Sequence, residues 1–238
     1  MFKFKKSLER VNRVSNDEDR SFFKLRLDRN EKIFSFNQKY KKKFSKYVEK
    51  LDLNLYPNLN KTYIKLSKYI KFDRKNILIT EGVSGAIKSI LDSTLIEKKT
   101  EIIVPKPSFA LYNIYSKIYD LKVKSYNYDK NLNLKKNDIF KLVSKNTSIV
   151  FITFPNIPVE GDIDLVFIKK LAKFLDKKKV LLVIDEVYFP FNPSSSIKLV
   201  KQFKNLVVMR SFSKAFGLAG ARVGYIVSEQ GKIKVFSN

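Results

Sequence analysis

Lys214 is the residue of this chain best placed to do covalent chemistry. It lies in the turn Ser211-Phe-Ser-Lys-Ala-Phe-Gly-Leu-Ala-Gly-Ala-Arg-Val-Gly-Tyr225, which gathers two hydroxyls (Ser211, Ser213), one guanidinium (Arg222) and three of the chain's seven glycines (Gly217, Gly220, Gly224). A lysine held in a mostly apolar turn loses hydration, which lowers its pKa and makes the neutral, nucleophilic amine accessible near neutral pH. Such an amine condenses with an aldehyde. Ser211, three residues before it, and Arg222, eight residues after it, are within reach of one phosphate, the arginine through its bidentate fork. Glycine at this density marks close backbone approach or positive φ. In a chain with 48 Lys and Arg, the competing reading of any single lysine is a solvated surface charge, so the surrounding pattern carries the argument.

A second candidate is Asp185, followed by Tyr188. It comes directly after the apolar run of residues 180–184. A carboxylate at the C-terminal end of a buried parallel strand stands where α/β sheets place their ligands. Beside a protonated ring nitrogen it would remain ionised and keep the ring positive, an electron sink. The alternative for Asp185 is a helix cap.

Ser211-x-x-Lys214 with Arg222 and Gly224 resembles the Schiff-base segment of fold-type I pyridoxal-phosphate enzymes, the class I/II aminotransferases. The wording of residues 213–220 is most similar to the histidinol-phosphate aminotransferase group. The resemblance implies pyridoxal 5'-phosphate as cofactor, Lys214 as its Schiff-base lysine, Ser211 and Arg222 on its phosphate, Asp185 at the ring nitrogen and Tyr188 toward the phenolic oxygen. It further implies Val83 and Ser84 on the phosphate, Phe109 stacked on the ring, and Tyr56 reaching the phosphate of a neighbouring subunit in a homodimer with shared active sites. One place departs from the pattern. Where the family has an asparagine before the second proline of a loop, to hydrogen-bond the phenolic oxygen, this chain has Ile157; Asn156, one residue earlier, is the candidate substitute.

Composition narrows the chemistry. Hydrophobic residues make up 44% and aromatics 13% of 238 residues, enough for a substantial core and inconsistent with global disorder. The net charge of +25 would ordinarily point to nucleic acid or an anionic membrane, but the lysines are spread along the whole chain and read as a general residue bias. Neither nucleic acid nor membrane is expected as a partner. The absence of cysteine excludes disulfides and thiol catalysis, and the absence of histidine removes the usual general base and argues against a zinc site. Proton transfer therefore falls to Lys, Asp, Glu or Tyr. No apolar run is long enough to span a bilayer and the N-terminus has no apolar signal core, so a cytoplasmic protein is expected.

The elements that must position these groups follow from periodicity. Residues 1–35 read as a charged arm, in which residues 23–31 resemble the segment that passes near the substrate in this aminotransferase group; a solvated tail is the competing reading. Residues 38–50 read as a short basic helix. From residue 76 strands and helices alternate: strands at 76–80, 101–104, 121–126, 148–153, 180–184 and 205–210, with helices through about Glu97, around Tyr112, at 135–144 and at 165–177. Turn residues 81–85 open a helix, offering free N–H groups and a positive helix end to an anion, although Gly and Ser also serve there as caps. Phe109 has a plain core role as its alternative.

The expected architecture is a three-layer α/β/α domain with a mainly parallel sheet over residues 51–238, preceded by an arm and short helix over 1–50. The family's smaller C-terminal domain is expected to be missing. The expected activity is transfer of an amino group between an amino acid or amino phosphate ester and a 2-oxo acid. A phospho-amino-acid decarboxylase and a non-catalytic remnant are the alternatives, the latter on account of Ile157 and the missing domain.

Overall fold

A computed structural model describes residues 25, 27–94, 100–157, 159 and 163–238. Residues 23, 24 and 26 of the arm segment, the last turn of the helix expected to reach Glu97, and residues 158 and 160–162 of the loop beginning at Phe154 lie outside them.

Seven strands form one sheet: β1 (Ile77–Thr80), β2 (Glu101–Lys106), β3 (Lys122–Asn127), β4 (Thr147–Thr153), β5 (Leu181–Asp185), β6 (Leu206–Ser211) and β7 (Gly224–Val227), in the order β1-β7-β6-β5-β4-β2-β3. The helices are α1 (Gln38–Val48), α2 (Asn60–Ile70), α3 (Gly82–Thr94), α4 (Leu111–Ile118), α5 (Asp138–Leu142), α6 (Leu165–Lys177) and α7 (Gln230–Phe236). Strands β3, β2, β4, β5 and β6 are parallel, whereas β7 pairs antiparallel with both β6 and β1. This agrees with the mainly parallel sheet expected from the sequence. The exception arises because the Lys214 turn joins β6 to β7 with only a 3-10 turn, Ala219–Ala221, too little to carry the chain back for a parallel crossover.

The central strands are apolar on both faces, and that is what makes three layers. On one face Ile103, Val150, Ile152, Leu182, Ile184 and Val208 pack against Phe167, Ile168, Leu171 and Leu175 of α6. On the other, Ile102, Val104, Phe151, Val183, Val207 and Met209 pack against Val83, Ile87, Ile90 and Leu91 of α3 and Ile233 and Phe236 of α7. Each strand sends alternate residues to opposite faces, so runs such as Leu181–Asp185, buried at every position, must have cover on both sides. Helix α6 starts where Asp164 Oδ1 accepts the Phe167 N–H at 2.6 Å. By contrast α1 has no buried residue, and among the described residues the first core residue in chain order is Leu66 in α2. Helices α2 and α7 and strand β7 were not among the elements expected from the sequence.

Candidate active site

Asp185 is the last residue of β5 and is buried. Its Oδ2 accepts a 2.8 Å hydrogen bond from the Tyr112 hydroxyl and its Oδ1 a 3.1 Å bond from the Val187 N–H. Burial holds Tyr112 well above the usual phenol range, with the charge of Asp185 adding to the effect, so that hydroxyl serves as a donor. Burial also pushes Asp185 up to about 6, against the pull of its two hydrogen bonds. The strand end is held by a neighbouring ion pair: Arg210 of β6 lies 2.9 Å from Glu186, whose other oxygen accepts from Ser196 N and Oγ at 2.6 and 2.7 Å. Both residues are buried, and the Glu186 N–H donates to Met209 O at 2.9 Å, so the ends of β5 and β6 are fixed to each other. A charge inside an otherwise apolar strand run was the sequence signal for Arg210, because a buried charge needs a partner.

The Lys214 turn leaves β6 and folds back on itself. Phe212 N–H donates to Val223 O at 3.0 Å, Leu218 N–H to Phe212 O at 2.9 Å, and Gly217 N–H to Lys214 O at 2.9 Å. Gly217 has φ +67°, a conformation that favours glycine. Gly224 serves another need: a Cβ there would lie 2.8 Å from Arg210 O and from Gly82 Cα. That close approach sets the start of α3 against the ends of β6 and β7. The Gly85 N–H is the first in this turn to bond back, to Glu81 O, so the N–H groups of Gly82, Val83 and Ser84 precede the helical ladder. Above Gly82 sits the Arg222 guanidinium, 3.2 Å from where its Cβ would be.

These elements enclose a cavity of about 240 Å³ at the C-terminal ends of β4, β5 and β6. Eight of the ten residues expected from the sequence line it: Val83, Ser84, Phe109, Asp185, Tyr188, Ser211, Lys214 and Arg222. Lys214 is half-buried, and its Nζ donates to Arg29 O at 2.6 Å. Burial lowers the Lys214 pKa, with Arg222 acting the same way and Glu31 and Asp185 opposing. Tyr188 accepts a 2.8 Å hydrogen bond from Asn30 Nδ2, and burial raises its pKa. Phe109 meets the Tyr112 ring edge-on at 6.2 Å.

Of the other two expected residues, Asn156 is not brought to the cavity, and Tyr56 was expected at a neighbouring subunit's cavity rather than this one. Asn156 is buried elsewhere: its Nδ2 donates to Pro107 O and the Tyr128 hydroxyl, both at 2.9 Å, and its Oδ1 accepts from Ser108 Oγ at 3.1 Å. Those bonds tie the loop after β4 to the loop after β2, so the amide is committed to loop structure, and Ile157 is the residue that lines the cavity. Tyr56 is fully exposed and is not among the lining residues. Sequence reasoning also missed Tyr112 as the partner of Asp185, a bond across 73 positions with no local signature, and Thr153 and Val187 in the lining. Asp28, Arg29 and Asn30 line the cavity from the arm. No group of His, Cys, Asp and Glu suited to a metal occurs among the described residues, and no helix among them is long and apolar enough to cross a membrane.

Residues 28–237 match the family of class I and II aminotransferases. The chain belongs to that family. Among curated members, the histidinol-phosphate aminotransferase of Clostridium novyi (strain NT) is 30% identical over 209 residues, covering 87% of this chain and 58% of the relative. That of Thermoanaerobacter pseudethanolicus is 31% identical over 221 residues, 89% of this chain and 60% of the relative. The chain thus spans about three fifths of the relatives it matches. Among aminotransferase structures, histidinol-phosphate aminotransferase from Sinorhizobium meliloti in complex with pyridoxal-5'-phosphate superposes with a TM-score of 0.77 at 22% identity, over 88% of this chain and 57% of the other. The fold is therefore the large domain of this family. L-threonine-O-3-phosphate decarboxylase from Porphyromonas gingivalis gives 0.68 at 26% identity, over 83% and 59%.

Proposed function

We propose that this chain binds pyridoxal 5'-phosphate and takes part in moving an amino group between an amino acid or amino phosphate ester and a 2-oxo acid, in the manner of a histidinol-phosphate aminotransferase. The observation that carries the reading is the meeting of Lys214, Asp185, Arg222 and the first turn of α3 in one cavity although they lie far apart in sequence. The donor set fits the cofactor. A half-buried amine with a lowered pKa suits an aldehyde, a buried carboxylate pushed up to about 6 lacks a cation that a ring N–H would supply, and free helix N–H groups with Ser211 and Arg222 suit a phosphate. Bound there, pyridoxal phosphate supplies a carbonyl carbon open to amines and a cationic ring that draws electrons from the reacting carbon.

The chain's own groups do the remaining work. Lys214 would hold the cofactor at its aldehyde carbon, and its amine would be the base that takes and returns the proton of the substrate Cα. Asp185, oriented by Tyr112, keeps the ring nitrogen protonated. Val83, Ser84, Ser211 and Arg222 hold the phosphate, Phe109 covers the ring face, and Tyr188 faces the phenolic edge. Residues 1–50 act as an arm and 51–238 as the cofactor-binding domain. A homodimer completes the reading: Tyr40, Phe44 and Tyr47 stand exposed along α1, a helix with no buried residue, and an exposed Tyr56 suits contact with a neighbour's phosphate. A role in amino-acid biosynthesis and a cytoplasmic location go with it as proposals.

A phospho-amino-acid decarboxylase would use the same residues, and the likeness to the P. gingivalis decarboxylase supports it as the second reading. The protein is incubated with pyridoxal phosphate and candidate amino donors, and products are analysed. A 2-oxo acid with aminated cofactor supports amino transfer; carbon dioxide with a retained amine supports decarboxylation. Unchanged donors across phosphorylated and ordinary amino acids would overturn both.

A further inference from the structure

The arm is docked at three points, two on the Lys214 turn and one on Tyr188 beyond the end of β5. Arg29 O accepts from Lys214 Nζ at 2.6 Å, Asn30 Nδ2 donates to Tyr188 Oη at 2.8 Å, and Lys32 and Phe36 fill the space over Gly217 that a Cβ would occupy. Asn30 has φ +50°, a left-handed conformation that asparagine tolerates better than most side chains. The hydrogen bond matters because of what the neighbouring position lacks. Ile157 lines the same cavity and offers no donor, while the Asn156 amide is bound to Pro107, Ser108 and Tyr128.

A phenol has one proton to donate and lone pairs to accept with. When an amide N–H occupies a lone pair of Tyr188, the hydroxyl proton is left for a different acceptor. We propose that Asn30 is a positioning residue that aims the Tyr188 hydroxyl proton into the cavity, making Tyr188 the donor to a ligand's anionic oxygen at the edge where Ile157 supplies none. This rests on the reading that the cavity holds pyridoxal phosphate, whose phenolic oxygen is such an acceptor. The charged groups sharing the cavity are Asp28 and Arg29 from the arm, Asp185 from β5, and Lys214 and Arg222 from the turn between β6 and β7.

Asn30→Asp tests it, because an aspartate keeps the backbone preference but can only accept, and so draws the Tyr188 proton away from the cavity. The readout is the pH midpoint of the visible band of cofactor-loaded protein, measured alongside borohydride fixation at Lys214. A donor stabilises the ligand's oxygen most when no nearby proton shares its charge, so losing it raises the midpoint, by about one pH unit for a charged hydrogen bond. The expected result is that rise in Asn30→Asp, a similar rise in Tyr188→Phe, and no further rise when both are combined. An equal Asn30→Asp effect with and without Tyr188 would show a bare charge effect and overturn the proposal, as would no shift at all. Wild-type protein that takes no label at Lys214 would overturn the cofactor reading itself, and this proposal with it; labelled protein with independent shifts would overturn only the role of Asn30.

Discussion

Two buried carboxylates sit at opposite ends of the sheet and behave in opposite ways. Glu101, the first residue of β2, accepts from Lys124 Nζ at 2.9 Å, Thr147 Oγ1 at 2.7 Å and Ser144 Oγ at 3.0 Å. Burial raises its pKa, but these three donors outweigh burial and hold it below the usual carboxylate range. Asp185, the last residue of β5, lies deeper among protein atoms and has a phenol, a backbone N–H and no cation in hydrogen-bond contact, so burial wins and it is pushed up to about 6. One end is closed within the chain and serves the fold. The other is under-compensated beside a cavity, the state expected of a carboxylate whose cationic partner arrives with a ligand.

The largest effect that would break this contrast is at Asp185. Asp185→Asn keeps an acceptor for Tyr112 but removes the charge, and amino transfer should fall by orders of magnitude with the cofactor still bound, measured by single-turnover absorbance. Turnover close to wild type would reduce Asp185 to a cap. The same difference appears in stability without any ligand. The folded pKa of Asp185 lies above its unfolded value of about 4, so its protonated form favours the fold; that contribution is complete below about 4 and lost as pH rises through about 6. The gap corresponds to about 3 kcal/mol, so urea titrations of cofactor-free protein should show a component that weakens from pH 4 to 7 and is missing in Asp185→Asn.

Glu101 has the opposite sign: its pKa is depressed, so its contribution is present above its ordinary value and lost as pH falls through the folded one. Glu101→Gln keeps the hydroxyl contacts but leaves Lys124 without its ion pair. Because Lys124 is partly exposed, the expected loss is about 2 kcal/mol in urea unfolding at pH 7, below that of a fully buried pair, with Lys214 reactivity unchanged. The smallest effect concerns completion of the open end from outside. Tyr56→Phe should weaken cofactor affinity about tenfold, near the lower bound for a hydrogen bond to a charged group, and only under conditions where light scattering reports a dimer. A monomer with full cofactor affinity would contradict the shared site.

Much of the closed, apolar part of this molecule was legible in the sequence. Six of the seven strands were read from the sequence, most of them as apolar runs between turn residues, and α6 was read at its observed bounds from its apolar period. The four-residue β7 was not, because its pairing with β1 joins segments about 150 positions apart and leaves no local period. At the cavity the contrast is sharper still. Residues that announce themselves by type and spacing in one turn, such as Lys214 and Arg222, were singled out and line the cavity. Those defined by a partner across the chain were not: Tyr112 on Asp185, Glu186 with Arg210, and Asn30 on Tyr188. Asn156 went wrong for the same reason, since side-chain type shows what an amide can do, while Pro107, Ser108 and Tyr128 decide what it does.

The most direct measurement is covalent. Protein mixed with pyridoxal phosphate, reduced with borohydride, digested and mapped should carry the label on the peptide containing Lys214, far above the other lysines, because among the described lysines it alone joins a lowered pKa to a cavity that Asp185 and Arg222 also line. Label spread over surface lysines, with none on Lys214, would contradict the account.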